Sequence, residues 1–294
     1  MRVFLTGATG FIGSRVLQEL LGAGHQVLGL TRSAAGERWL QEAGAAAHRG
    51  TLEDPASLAR GAAQADAVIH TAFDHDFSRF AENCEKDRRA IAAMAAMLAG
   101  SDRPLVITSS TGIGNTSPGQ PAMEHAVDWS HPLPRIAGEQ AGVEAANNGV
   151  SVAVVRLPQV HDTKKQGLIS PFIEVSRAKG LAAYVHDGAN RWPAVHVDDA
   201  ARLYRLAVER HEAGARYHAV AEEGVSVRRI AEIVGAGLGV PVASLTTEDA
   251  AGHFGWLASF MGRDMPASST WTQARLSWTP TGPDLIADLR AMDY

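Results

Sequence analysis

Residues 1–13 read MRVFLTGATGFIG, an apolar run at Val3–Leu5 followed by glycines at positions 7, 10 and 13. An ordinary strand-to-helix turn needs one glycine. Three at this spacing make sense if a strand ends near Thr6 and a helix begins near Phe11. Gly7 then permits the tight turn, Gly10 admits a diphosphate where a Cβ would collide, and Gly13 lets the helix pack hard on the sheet. The free N–H groups and positive dipole end of the helix face the phosphates. Glycines that merely break structure carry no such meaning, but here they open the first strand–helix unit, where the mechanism requires them. The stretch predicts a dinucleotide cradle built from Thr6, Gly7, Thr9, Gly10, Phe11, Ile12 and Gly13.

Outward from that turn, strand and helix patterns alternate. RVFLTG (2–7), QVLGLT (26–31), AVIHTA (67–72), PLVITSS (104–110) and VSVAVVRLP (150–158) are short, β-branched and apolar on both faces, as buried parallel strands are. Helical patterns fall at about 11–23, 33–43, 55–62, 77–99 and 134–148. This order predicts an α/β protein with a Rossmann-type doubly wound parallel sheet. After about residue 160 the rhythm loosens, with helices near 169–179, 198–211 and 226–239 and a mixed segment at 240–294. The reading is a dinucleotide-binding domain over 1–160 and a smaller C-terminal substrate lobe over 161–294, interleaved with the sheet.

Of the 294 residues, 46% are hydrophobic and 20% charged, as in folded globular chains, and the net charge is −5. Lys and Arg form no basic block, which argues against nucleic acid as a partner. The one cysteine, Cys84, can form no internal disulfide or cysteine metal site, and it reads as a buried small apolar residue in a helix. The first residues make a strand and a glycine turn rather than a leader with a long apolar core. No apolar run reaches about 18 residues, so no membrane span is expected. No HxxxH or HExxH spacing suggests a metal site. These features predict a cytoplasmic protein acting on a small molecule.

The second predicted strand ends Leu30-Thr31-Arg32-Ser33. An acidic residue at that tip would hold the adenosine ribose hydroxyls and repel a 2′-phosphate. Arg32 stands there instead, and a guanidinium matches a phosphate in geometry and charge. NADP(H) is therefore the expected cofactor, with Arg32 and Ser33 at its phosphate. A solvated surface arginine is the plainer alternative.

TGATGFIG (6–13) resembles the TGxxGxxG signature of extended and atypical short-chain dehydrogenases/reductases. AVIHTAF (67–73), VITSSTGIGN (106–115), VVRLPQVHD (154–162) and AVHVDDAARL (194–203) resemble that superfamily's later segments in the same order. The resemblance implies further cofactor contacts from Thr51 and Leu52 beside the adenine, from Thr71, Ala72, Phe73 and Ser109 along the sheet, and from Pro158 and Val160 near the nicotinamide. It also implies a Tyr and a Lys spaced YxxxK on the helix after the fifth strand. Here that helix reads Pro134-Arg135-Ile136-Ala137-Gly138-Glu139-Gln140, with Arg135 in the Tyr place and Glu139 in the Lys place. No tyrosine occurs before Gly180. The dyad is missing, as in the atypical subgroup. Asp87 replaces the usual Asn of the preceding helix, and Thr51 replaces an acid near the adenine. The resemblance also implies pairing of two copies through the helices near 77–99 and 134–148. The first of these is heavily charged in its first half, so a monomer and a homodimer are equal readings.

The remaining candidates for chemistry are Ser110, Arg135 and His75. Ser110 can hydrogen-bond a substrate carbonyl, with Ser109 and Thr111 close rivals; capping of backbone groups is the plain alternative. Arg135 can polarise a carbonyl or bind an acid but cannot donate a proton at neutral pH, and an i,i+4 surface pair with Glu139 is an equal reading. His75, in the run Phe73-Asp74-His75-Asp76, is a candidate proton donor; a solvated loop is the plainer and preferred alternative. His161 matches a residue that lines the family's substrate pocket. His196, Asp198 and Asp199 read as structural. Among Tyr184, Trp192, Phe254, Trp256, Leu257, Phe260 and Met261, some are expected to roof the pocket and the rest to form the lobe's core. The expected function is NADPH-dependent reduction of a carbonyl, imine or activated alkene in a mostly apolar small molecule. The alternatives are a non-enzymatic NADP(H) sensor, or an epimerase or dehydratase.

Overall fold

The computed structural model describes residues 1–114 and 117–294. The first half runs β1 (Arg2–Thr6), α1 (Phe11–Gly22), β2 (Gln26–Thr31), α2 (Ala34–Glu42), β3 (Ala46–Arg49), α3 (Pro55–Ala62), β4 (Ala67–His70), α4 (Phe80–Ala96), β5 (Pro104–Ser110), α5 (Ile136–Asn147) and β6 (Ser151–Leu157). There follow β7 (Gln159–His161), α6 (Ile169–Lys179), β8 (Ala182–Val185), β9 (Arg191–His196), α7 (Val197–Glu209) and β10 (Arg216–His218). The chain ends with β11 (Glu222–Ser226), α8 (Val227–Leu238), β12 (Val242–Leu245), α9 (Thr247–Phe254), α10 (Ala258–Met261), α11 (Thr270–Leu276) and α12 (Leu285–Ala291).

The large sheet has strand order β10-β6-β5-β4-β1-β2-β3, and every pairing in it is parallel. Its central strands carry apolar side chains on both faces because both faces are covered. Val3, Leu5, Ile69 and Val106 pack with α1 and α7 on one side, while Phe4, Val68, Leu105 and Ile107 pack with α3, α4 and α5 on the other. Full burial of a side chain such as Phe4 contributes roughly 1.5–3 kcal/mol. After β3 the chain crosses back over β1 to start β4, so the order reverses between β1 and β4. That reversal opens a crevice at the carboxyl ends of the strands, where ligands bind in such sheets.

Beyond residue 160 the chain contributes to both parts of the molecule. It builds a three-stranded sheet, β11-β9-β7, and a parallel pair, β12-β8, around a core that includes Phe172, Trp192, Ile230 and Phe254. It also returns α7 and β10 to the large sheet. His196 caps α7 through Nδ1, which accepts from Asp198 N–H at 3.3 Å. Asp199 pins the C-terminal segment by accepting from the backbone N–H groups of Thr281 at 3.0 Å and Gly282 at 2.7 Å. Cys84 is buried in α4. No helix among the described residues is long and apolar enough to cross a membrane.

Candidate functional site

The carboxyl ends of β1, β2, β4, β5 and β6 open into one cavity of about 1330 Å³. The three glycines of the first turn meet separate demands there. Gly7 sits at φ +70°, and a Cβ on it would lie 2.8 Å from the Ala72 backbone nitrogen. A Cβ on Gly13 would stand 2.0 Å from the Gly7 carbonyl oxygen, so α1 can approach β1 this closely only with glycine. A Cβ on Gly10 would meet only that same oxygen, at 3.1 Å, so its other side is open to a ligand. No side chain caps α1 and no acid lies in its first turn, which leaves its N–H groups and dipole facing the cavity. This cradle fits a dinucleotide diphosphate.

Gly7, Thr9, Gly10, Phe11, Ile12 and Gly13 all line the cavity. Arg32, Thr51 and Leu52 stand at one end, Thr71, Ala72, Phe73 and Ser109 along the sheet, and Pro158 and Val160 beyond β6. Two predicted residues are not on the wall. Thr6 is fully buried, its Oγ1 2.7 Å from His70 Nδ1 and accepting from Ala72 N–H at 3.2 Å, so it joins β1 to the end of β4. Ser33 caps α2, its Oγ accepting from Gly36 N–H at 3.0 Å. Ser109 is buried, its hydroxyl beside the Glu139 carboxylate, whose pKa it helps to lower.

At the opposite end lie Ser110, Arg135 and His75. Arg135 and Glu139 do not pair with each other, and neither belongs to the surface. Arg135 donates to the Asp87 carboxylate and to the Thr108 carbonyl oxygen (2.6 Å for the latter), with its guanidinium 4.5 Å from the centre of the Phe73 ring. Asp87 also accepts from His70 Nε2 at 2.9 Å. Burial pushes the Asp87 carboxyl up, but Arg135 and His70 more than offset it and hold it below the usual range. Gly138 leaves room for this contact, since a Cβ there would sit 3.0 Å from Asp87 Oδ2. Glu139 instead takes a bidentate pair from Arg156, at 2.7 and 2.8 Å, and a third bond from Arg216 at 3.1 Å. Helix geometry makes the i,i+4 pair available, but each buried charge needs several partners, which only the neighbouring elements supply.

Ser110 Oγ accepts from Gly112 N–H at 3.3 Å and, among the described residues, donates to no acceptor. Desolvation, with the charges of Lys165 and Arg135, lowers the pKa of His75, so its imidazole is neutral at pH 7. His161 is absent from the cavity wall. It is fully buried, with Nδ1 2.7 Å from Asp288 Oδ2, and it ties β7 to α12. Of the late aromatic and apolar residues, Trp256 and Phe260 line the cavity, whereas Trp192, Phe254, Leu257 and Met261 are buried in the smaller lobe with Tyr184 packed against them. Tyr204 reaches the sheet from α7, its hydroxyl 2.6 Å from Thr108 Oγ1, but it is fully buried and off the cavity wall.

Residues 3–221 match the NAD dependent epimerase/dehydratase family. The chain belongs to that family. It is 45% identical over 295 residues, covering 100% of both chains, to an uncharacterized protein of Schizosaccharomyces pombe. It is 29% identical to the 4-hydroxy-2-methyl-3-oxo-4-farnesyl-3,4-dihydroquinoline-1-oxide ketoreductase of Stigmatella aurantiaca, over 74% of this chain and 67% of the relative. Pal from Bacillus thuringiensis shares the fold at a TM-score of 0.79 and 17% identity, over 100% of this chain and 98% of that one. Epimerase/dehydratase-family membership and these relatives indicate a short-chain-dehydrogenase-type oxidoreductase or epimerase.

Several cavity residues of this family member escaped the sequence reading. Lys165, Arg263, Phe77 and Phe80 all line the wall. So does Glu53, which accepts from Lys86 at 2.9 Å. Phe77 and Phe80, three residues apart directly after the His75 loop, carry a spacing that could have marked a shared face. Nothing local distinguishes Lys165 or Arg263 from a surface cation.

Proposed function

We propose that the protein binds NADPH and reduces a ketone, with Arg135 and Ser110 holding the carbonyl oxygen. The observation that carries this reading is a guanidinium fixed on a cavity wall that also carries the Ser110 hydroxyl, which donates to no acceptor among the described residues. Bound NADPH supplies the hydride. Arg135 has five N–H donors, and its bonds to Asp87 and Thr108 leave others for a substrate oxygen. Asp87 and the Phe73 ring hold the cation in place before substrate arrives, so little reorganisation is needed as charge grows on the oxygen. Arg135 remains protonated through the reaction. His75 is neutral and a weak acid, so the proton reaches the product oxygen from solvent at the cavity mouth.

Arg32 supports NADPH over NADH. It lines the adenosine end, and among the described residues it makes no ion pair. Its nearest acidic neighbour in sequence, Glu37, instead lies 3.8 Å from Arg49. The ketoreductase relative supports a carbonyl substrate. An epimerase or dehydratase needs a side chain that takes a proton and returns it; no tyrosine lines this cavity among the described residues, which leaves His75 as the group such a reading would use.

The test is NADPH consumption across a panel of aryl and alkyl ketones, run on wild type and Ser110→Ala. Turnover should appear for part of the panel and fall about 10²-fold in the variant. Nucleotide binding with no ketone-dependent consumption would remove the reductase reading and leave a nucleotide sensor. An unchanged rate in Ser110→Ala would remove that hydroxyl from the chemistry.

A further inference from the structure

We infer that the substrate carries a carboxylate on an apolar, ring-sized body, that the body occupies a side pocket off the main cavity, and that the carboxylate is held by Arg263. This deepens the reductase reading and rests on it only for the bond that reacts; the pocket stands on binding alone.

Next to the main cavity lies a second of about 200 Å³, whose wall includes Phe77, Phe80, Leu133, Trp256, Phe260 and Arg263. All six also line the main cavity. Phe77 and Trp256 stack with ring centres 4.6 Å apart and planes inclined by 7°. Phe80 stands 5.5 Å from Phe77, and Phe260 stands 6.2 Å from Trp256. Phe77 and Phe80 come from the segment after β4, while Trp256 and Phe260 come from the smaller lobe. The pocket is thus walled by aromatic faces from both halves of the chain and stays partly open to solvent. An engineered apolar cavity of about 150 Å³ holds benzene, so this one is sized for a substituted ring or a branched alkyl group.

Arg263 is the one charged residue on the wall of the side pocket, and it makes no ion pair among the described residues. The carboxylates around the substrate end are committed elsewhere. Asp264 pairs with Arg191 at 2.8 Å, and Asp74 pairs with Lys86 at 2.7 Å. Asp76 accepts from the backbone and hydroxyl of Ser78 at 3.1 and 2.5 Å. His131 adds no negative charge, and burial lowers its pKa, so it is neutral at pH 7. Lys165, a second cation without an ion pair among the described residues, lies 5.7 Å from the Phe11 ring on the main wall. Arg263 therefore presents positive charge without a paired carboxylate, among the described residues, beside an aromatic pocket. Apolar walls with one placed cation select an anionic group on an apolar body.

The experiment is calorimetric titration of the full chain with 4-acetylbenzoate and with its methyl ester. The acid should bind about tenfold tighter than the ester, the size of one charge-assisted hydrogen bond at a partly open site. Arg263→Gln should abolish that preference while leaving ester affinity unchanged, Arg263→Lys should keep part of it, and Trp256→Ala should weaken acid and ester alike. Equal affinities in the wild type, a preference that survives Arg263→Gln, or no binding of either compound overturns the inference. NADPH consumption measured on the same samples separates the two readings. An acid preference without turnover keeps the pocket and leaves the reductase reading to the ketone panel, whereas turnover without a preference keeps the reductase and overturns the pocket.

Discussion

Asp87→Asn isolates the buried charge on which the site is built. The substitution keeps the shape of the side chain and removes its charge. Asp87 is 1% exposed and accepts from both Arg135 and His70, so the variant leaves Arg135 as a nearly buried cation without its counter-ion. Breaking a buried pair from one side costs about 3–5 kcal/mol. Arg135 keeps the Thr108 carbonyl at 2.6 Å and the Phe73 face, and it borders the cavity where water enters. The loss should therefore fall near the lower end, about 3 kcal/mol, or a melting temperature lower by roughly 6–12 °C at 2–4 °C per kcal/mol. Adding Arg135→Met removes the orphaned cation, so the double variant should be more stable than Asp87→Asn alone.

The pH dependence follows from the depressed pKa of Asp87. A carboxyl whose folded pKa lies below its unfolded value near 3.9 contributes stability above that value and loses it as pH falls through the folded pKa. Urea unfolding of wild type and Asp87→Asn should thus differ most near neutrality, begin to converge below about pH 4, and meet only below the folded pKa. A difference under about 1 kcal/mol at pH 7, or one of the same size at pH 3, would refute the reasoning, since either means that the ion pair does not stabilise the fold.

Three further substitutions probe the nucleotide end. Arg32→Ala should weaken NADPH binding far more than NADH binding in parallel titrations; equal losses would remove Arg32 from the 2′-phosphate. Gly13→Ala puts a Cβ 2.0 Å from a backbone oxygen, so it should destabilise the fold by about 2 kcal/mol or more in urea. Gly10→Ala, with only one contact at 3.1 Å, should fold nearly as well as wild type yet lose nucleotide affinity; full affinity in that variant would show that no phosphate passes close to Gly10.

The central strands and the helices between them were legible because their signals are local. Apolar runs of strand length mark β1, β2, β4, β5 and β6, and three glycines mark the first turn. The strands of the smaller lobe were not legible. Segments such as Gln159–His161 and Glu222–Ser226 are three to five residues long and carry polar side chains, and they are strands only because distant partners pair with them. Arg135 shows the same limit. Its near neighbour in sequence was Glu139, but its counter-ion is Asp87, 48 residues earlier, and Glu139 belongs to Arg156. His161 went to Asp288, 127 residues away, instead of to the cavity.

The amino-acid sequence by itself determined the order of the elements and the cradle at Gly7, Gly10 and Gly13, because steric room and hydrogen-bonding capacity within a few residues settle both. Only the tertiary structure decided which charge neutralises which, which aromatic rings face the cavity and which cations stay unpaired. Those outcomes depend on groups far apart in the chain, brought together when burial forces each charge to find a partner and each ring a surface to cover.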